Sequence, residues 1–135
     1  MRLRLSDFAG EWTLAREIAQ PGTGLARFEG RVCFTPDGTG LAYHETGTLT
    51  LPGAAPMRAE RAYLWREEGA EIVVLFSDGR PFHRFDPAMP AAHHWCDPDD
   101  YRVRYDFAAW PDWRAEWRVT GPRKDYVMRS RYRRG

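Results

Sequence analysis

Apolar and polar residues alternate at period two along most of this chain, and helical spacing is nearly absent. Such alternation puts successive side chains on opposite faces of an extended strand. From Gly10 to Ile18 one face carries Trp12, Leu14, Arg16 and Ile18. From Leu25 to Phe34 one face carries Ala26, Phe28, Gly30, Val32 and Phe34. Leu41–Thr46 and Thr48–Leu51 follow, broken at Gly47, and Met57–Arg66 sets Ala59, Arg61, Tyr63 and Trp65 on one face. Ile72–Phe76 is a continuous apolar run, as in a buried strand, and Pro81–Phe85 is its return. Tyr101–Phe107, Trp113–Val119 and Tyr126–Tyr132 alternate again.

Asp37-Gly38, Pro52-Gly53, Asp78-Gly79 and Gly121-Pro122 punctuate these runs with turn chemistry. Nine or ten short strands joined by tight turns predict an all-β fold. Successive strands without long crossovers favour an antiparallel up-and-down β-barrel of about eight to ten strands, because closure removes the edges that aromatic strands would otherwise expose. The one helical element expected is a short N-terminal turn at Ser6-Asp7-Phe8-Ala9, capped by Ser6 or Asp7. The stretch Asp86–Asp100 has no pattern. At 135 residues the whole chain, 1–135, is expected to be one domain.

Charge changes the picture mainly by exclusion. Twenty Lys and Arg against nineteen Asp and Glu leave a net charge of +1. That balance argues against a general nucleic-acid binder and against strong attraction to anionic membranes. No apolar run reaches the ~20 residues of a transmembrane helix. The N-terminal ten residues hold no signal-peptide core, so the expected location is the cytoplasm, with Cys33 and Cys96 reduced.

Four constellations could carry chemistry. Asp78-Gly79-Arg80-Pro81-Phe82-His83 reads first as a hairpin turn; alternatively Arg80 and His83 sit at a barrel mouth, where they bind an anionic group or move a proton. His93-His94-Trp95-Cys96-Asp97-Pro98-Asp99-Asp100 contains metal-ligand residue types, and His83 could join His93, His94, Cys96 and Asp97. The paired spacing of a structural zinc site is missing, so the leading reading is a packed loop anchored by Trp95 and capped by Asp97, with no metal and no cofactor expected. Arg61 alternates with Tyr63 and Trp65, and Glu45 with Tyr43. If those faces point inward, Glu45 and Arg61 need buried partners, each other being one choice; if outward, they are solvated. The hairpin Gly121–Tyr126 offers Arg123 and Lys124 to an anion, or to water alone.

Phe8-Ala9-Gly10-Glu11-Trp12 resembles the Gly-x-Trp start of lipocalin and calycin barrels. The resemblance implies that Gly10 and Trp12 are structural, Trp12 closing one barrel end beneath an arginine of the last strand, with Arg129, Arg131 and Arg133 as candidates. Tyr43–Gly47, Arg61–Trp65, Asp78–His83, His94–Asp99, Tyr105–Phe107 and Gly121–Tyr126 resemble a small bacterial and fungal family of unknown function, over nearly the full chain. That second resemblance implies a calycin-like barrel and no particular activity.

Three functions compete. The first is a barrel binding a small anionic or aromatic molecule through Glu45, Arg61, Tyr63, Trp65, Arg80, His83, His94, Tyr105, Trp117, Lys124 and Tyr126. The second is an enzyme using Glu45, Asp78, His83, His94 and Asp97 as acid and base groups, which requires two of them within hydrogen-bond reach. The third is a homodimeric module with Trp110, Trp113 and Trp117 on an exposed patch. No serine-hydrolase elbow, phosphate loop or dinucleotide fingerprint is present.

Overall fold

The alternating segments become ten antiparallel strands of one sheet in the computed structural model, which describes residues 2–135. They are β1 (Gly10–Gln20), β2 (Gly24–Asp37), β3 (Gly40–Thr50), β4 (Met57–Glu68), β5 (Glu71–Phe76), β6 (Pro81–Phe85), β7 (Ala91–Cys96), β8 (Asp99–Asp106), β9 (Trp113–Thr120) and β10 (Asp125–Arg134). The order around the sheet is β6-β5-β4-β3-β2-β1-β10-β9-β8-β7. The sheet curls into a nearly closed, lipocalin-like barrel whose seam lies between β6 and β7. Residues 86–100, patternless in the sequence, contain β7. Its inner face is Ala92, His94 and Cys96, too small and polar to read as an apolar stripe. Trp95 does not anchor a loop there: it sits on the outer face of β7, 60% exposed. No helix among the described residues is long and apolar enough to cross a membrane.

One barrel end is packed solid around Phe8. This residue ends the 3-10 turn Leu5–Phe8, in which the Asp7 carboxylate accepts from the Arg4 backbone N–H at 2.7 Å. The Phe8 ring lies 5.0–5.9 Å from those of Phe34, Trp65, Phe107, Trp110 and Trp113. Trp12 donates its indole N–H to the Phe8 carbonyl at 2.8 Å, which satisfies its one polar atom inside the core. The arginine over Trp12 is Arg134, centred 3.9 Å from the ring and donating to the Ala9 and Asp7 carbonyls at 2.7 and 2.5 Å. Arg129, Arg131 and Arg133, the expected candidates, alternate onto the outer face. Arg134 shares the parity of the buried Met128, Ser130 and Tyr132 and stands opposite Trp12 in register.

The expected dimer patch is likewise turned inside. Trp113 is fully buried and stacks 3.8 Å from Tyr132, Trp110 packs on Phe8 and Trp12, and Trp117 faces the barrel interior. They occupy the inner face of β9 and the turn before it, so no tryptophan surface is formed by these three.

β2 and β3 cross at an unusually close point, where Gly30 pairs with Gly47. A Cβ at Gly30 would lie 2.1 Å from the Thr46 carbonyl oxygen. A Cβ at Gly47 would lie 2.2 Å from the Glu29 carbonyl oxygen and 2.8 Å from the Phe28 ring. These glycines therefore let the sheet bend tightly enough to curl. Gly30→Ala is expected to cost about 3 kcal/mol, at the upper end of overpacking, since backbone must move. Urea denaturation reads the loss, and an unchanged midpoint would show that the bend accommodates a methyl group.

Candidate ligand cavity

Above the packed end, the inner faces carry an ion pair where a filled barrel would carry aliphatics. Arg16 on β1 and Glu45 on β3 are 7% and 2% exposed. The guanidinium donates to both Glu45 oxygens, at 2.7 and 3.1 Å, and from Nε to the Ser130 hydroxyl at 2.7 Å. The Tyr43 hydroxyl donates to Glu45 at 2.5 Å and lies 3.0 Å from the Tyr132 hydroxyl. The face of Phe28 covers Arg16 at 5.5 Å. Burial alone would raise the Glu45 carboxyl. The charge and hydrogen bonds of the adjacent guanidinium, with the Tyr43 hydroxyl, outweigh it and hold the group below the ordinary carboxylate value. Burial raises the Tyr43 hydroxyl well above its ordinary value, so it stays a proton donor. The sequence left Glu45 and Arg61 as partners for each other. They do face one another across β3 and β4, but Arg61 is exposed and the buried partner is Arg16.

This network forms one wall of a cavity of about 240 Å³. Aromatic rings form most of the rest: Tyr63, Trp65, Phe76, Phe82, Tyr105 and Trp117. The exposed members of the lining, Arg61 and Cys96, with the half-buried Tyr101 and Tyr126, mark its mouth. Phe82 owes its place to a bulge between β5 and β6, where Val74 pairs with His83 but Leu75 pairs with Pro81. The extra residue turns Phe82 and His83 into the barrel together, although neighbours in a regular strand face opposite ways. The Phe82 ring then lies nearly parallel to those of Tyr63, Phe76 and Trp117, tilted 23°, 22° and 11° from them.

His83 is 9% exposed and crosses the seam, its Nε2 lying 2.9 Å from the Tyr105 hydroxyl on β8. Its Nδ1 is buried without a hydrogen-bond partner among the described residues. Burial, with the nearby His94 second, pushes its pKa down to about 3, so the imidazole is neutral near pH 7. Burial raises the Tyr105 hydroxyl well above its ordinary value.

Of the residues expected to bind a ligand, Glu45, Arg61, Tyr63, Trp65, His83, His94, Tyr105, Trp117 and Tyr126 all line this cavity. Arg80 and Lys124 do not. Arg80 folds back on Asp78 in the β5–β6 turn at 2.7 Å, and Lys124 is held by Asp99 and the Tyr101 hydroxyl at 2.9 and 2.8 Å. Both are turn cations satisfied by local partners. Arg16, Tyr43, Phe76, Phe82, Tyr101, Met128 and Tyr132 line the cavity and were not expected there. Arg16 shares its strand face with Trp12 and Leu14, and Tyr132 with Met128, but the sequence does not say that those faces turn inward. Phe82 had no such signal, because only the bulge turns it inward.

The acid–base set does not assemble. Glu45 is committed to Arg16, Asp78 to Arg80, and Asp97 is exposed beyond β7. No two of Glu45, Asp78, His83, His94 and Asp97 are hydrogen-bonded to each other among the described residues, although His83 and His94 share the cavity. The metal-ligand types are dispersed as well. His93 faces outward against Asp100, and no three His, Cys, Asp or Glu among the described residues converge. Cys33 and Cys96 are both free thiols.

Comparison with known proteins agrees with the barrel. The S-type phycobiliprotein lyase of Guillardia theta has a similar solved structure, with a TM-score of 0.65 over 97% of this chain and 90% of that one. Identity is 10%, so the likeness is one of fold. No curated protein matches the sequence. The pattern of the family of unknown function DUF6314 matches residues 8–134, from the phenylalanine that plugs the barrel to the arginine that covers Trp12, and the chain belongs to that family.

Proposed function

We propose that this barrel binds a small, ring-bearing organic molecule in the cavity between the Arg16–Glu45 network and the mouth at Arg61 and Tyr126. The observation that carries the reading is the cavity itself. It is bounded mostly by aromatic rings and furnished with a few polar groups at defined points. That is the general composition of a small-molecule site. A solid core would have served stability better, since filling such a space with side chains gains contacts that an empty one forgoes. The likeness to a phycobiliprotein lyase supports the architecture; the ligand reading rests on this chain's own lining.

The size limits the occupant. A cavity of ~150 Å³ admits benzene, so about 240 Å³ suits one or two rings with small substituents. Native mass spectrometry of protein purified without a metal-affinity tag, set against the denatured mass, tests the reading. A small added mass, lost on denaturation and also lost in an Ala115→Trp variant that fills the cavity, is the expected result. An added mass that survives Ala115→Trp would place the ligand elsewhere. For a chain that carries nothing, quenching of tryptophan fluorescence by added naphthalene or quinoline is the second readout; failure of both to bind would overturn the proposal.

A further inference from the structure

We infer that the cavity selects a flat, uncharged heteroaromatic or aryl carbonyl molecule, gripped by a hydrogen bond from His83 Nδ1–H to an acceptor atom in the plane of its rings. The inference rests on the ligand-binding reading above and deepens it by naming the class.

The argument begins with the Tyr105 hydroxyl. Its one hydrogen-bond partner among the described residues is His83 Nε2. A buried hydroxyl that kept its proton from that partner would leave a donor unsatisfied. The economical arrangement has Tyr105 donating to Nε2, which makes Nε2 the bare nitrogen. A neutral imidazole carries one ring proton, so it then resides on Nδ1. Nδ1 is the atom left buried and unpartnered, on a residue that lines the cavity. Buried polar groups almost always find a partner, and one that does not calls for a ligand or another explanation. The protein thus presents a donor, and the matching ligand atom is an acceptor: a ring nitrogen or a carbonyl oxygen.

Charge narrows the class further. Arg16 and Glu45 neutralise each other and spend their hydrogen bonds within the network. The remaining full charge in the lining is Arg61, which is exposed at the mouth. A charged group at the depth of His83 would be desolvated beside a neutral imidazole with no counter-ion. Shape comes from the near-parallel rings of Tyr63, Phe82 and Trp117, which favour a planar molecule stacked or inserted alongside them.

Quinoline and naphthalene separate these ideas, since they have nearly the same shape and differ by one in-plane acceptor. Binding is read by tryptophan fluorescence at neutral pH, to which Trp65 and Trp117 in the lining contribute, and by saturation-transfer NMR. Quinoline is expected to bind the native chain roughly tenfold more tightly than naphthalene, the factor of one net hydrogen bond. His83→Phe is expected to abolish that preference, read as the ratio of the two affinities and not as either one alone. Tyr105→Phe, which frees the tautomer, is expected to reduce it. Independently of any variant, the ring ¹⁵N spectrum of His83 in the native chain is expected to show the proton on Nδ1. Equal affinity for the two probes, or a proton found on Nε2, would overturn the inference and leave the ligand-binding reading intact. Failure of both probes to bind the native chain would overturn the two together.

Discussion

Glu45→Ala is expected to destabilise the protein by about 3–5 kcal/mol, the cost of leaving a buried charge without its partner. A domain of this size is stable by roughly 5–15 kcal/mol in all, so the variant sits near the edge of folding. The reason lies in Arg16. With its carboxylate gone, a guanidinium 7% exposed keeps one hydrogen bond, to Ser130, and one ring face, that of Phe28. Removing both charges has a different outcome. In Arg16→Met/Glu45→Leu no ion is left desolvated, and similar exchanges elsewhere are often neutral or stabilising. The Tyr43 and Tyr132 hydroxyls still have each other at 3.0 Å. The double variant is therefore expected to recover most of what the single loses. Urea denaturation of Arg16→Met, Glu45→Leu and the double variant closes the cycle. A single-variant loss under about 1 kcal/mol would mean that the pair is solvated, as at a surface.

Acid is expected to weaken the barrel from just below neutral pH, and His83 is the cause. Its pKa is depressed to about 3 by burial first and by His94 second. In the unfolded chain the imidazole titrates near its ordinary value of ~6.5. Between those two values the unfolded chain takes up a proton that the folded chain refuses. Stability is therefore fully present above ~6.5 and falls as pH falls, with a slope of up to ~1.4 kcal/mol per pH unit. The half-buried His94 is shifted the same way, and Glu45, held below its ordinary value, extends the decline at lower pH. The urea midpoint measured between about pH 6 and pH 5, where carboxylates are still ionised, isolates the histidines. His83→Phe is expected to remove most of the slope there. A slope that persisted would show that the native barrel protonates this imidazole without cost.

The barrel was legible because side chains alternate so cleanly on β1, β2, β4, β9 and β10 that the strands follow from the pattern, whereas which face turns inward does not, as Arg61, Tyr63 and Trp65 on β4 fit either side. What was hidden depended on interactions between strands distant in the chain. The arginine over Trp12 required the pairing Trp12↔Arg134, without which three odd-numbered arginines looked equally apt. The partner of Glu45 lies twenty-nine residues away on a strand not adjacent to it. β7 was invisible because its inner residues are small or polar, as suits the mouth of a cavity and not a core. The candidate site was legible wherever aromatic rings alternated with a charge, as in Arg61, Tyr63 and Trp65. It was lost at Phe82, where a bulge breaks the period on which the reading depends, and at Arg80 and Lys124, whose charges are consumed by their own turns.

The order of the strands bears on how the chain finds this shape. Of the nine ladders, eight join strands consecutive in sequence, and each can zip up as a hairpin closing a short loop. The ninth, β1 with β10, joins the two ends of the chain, and its closure entropy spans more than a hundred residues. Before it forms, the chain is two independent ribbons, β1–β6 and β7–β10, linked by residues 86–90. The cavity wall draws on both ribbons, Arg16 and Glu45 from one and Ser130 and Tyr132 from the other. The first ribbon alone can hold the Arg16–Glu45 pair with Tyr43, but the cavity is complete only when the termini meet and bring Ser130 and Tyr132 to it.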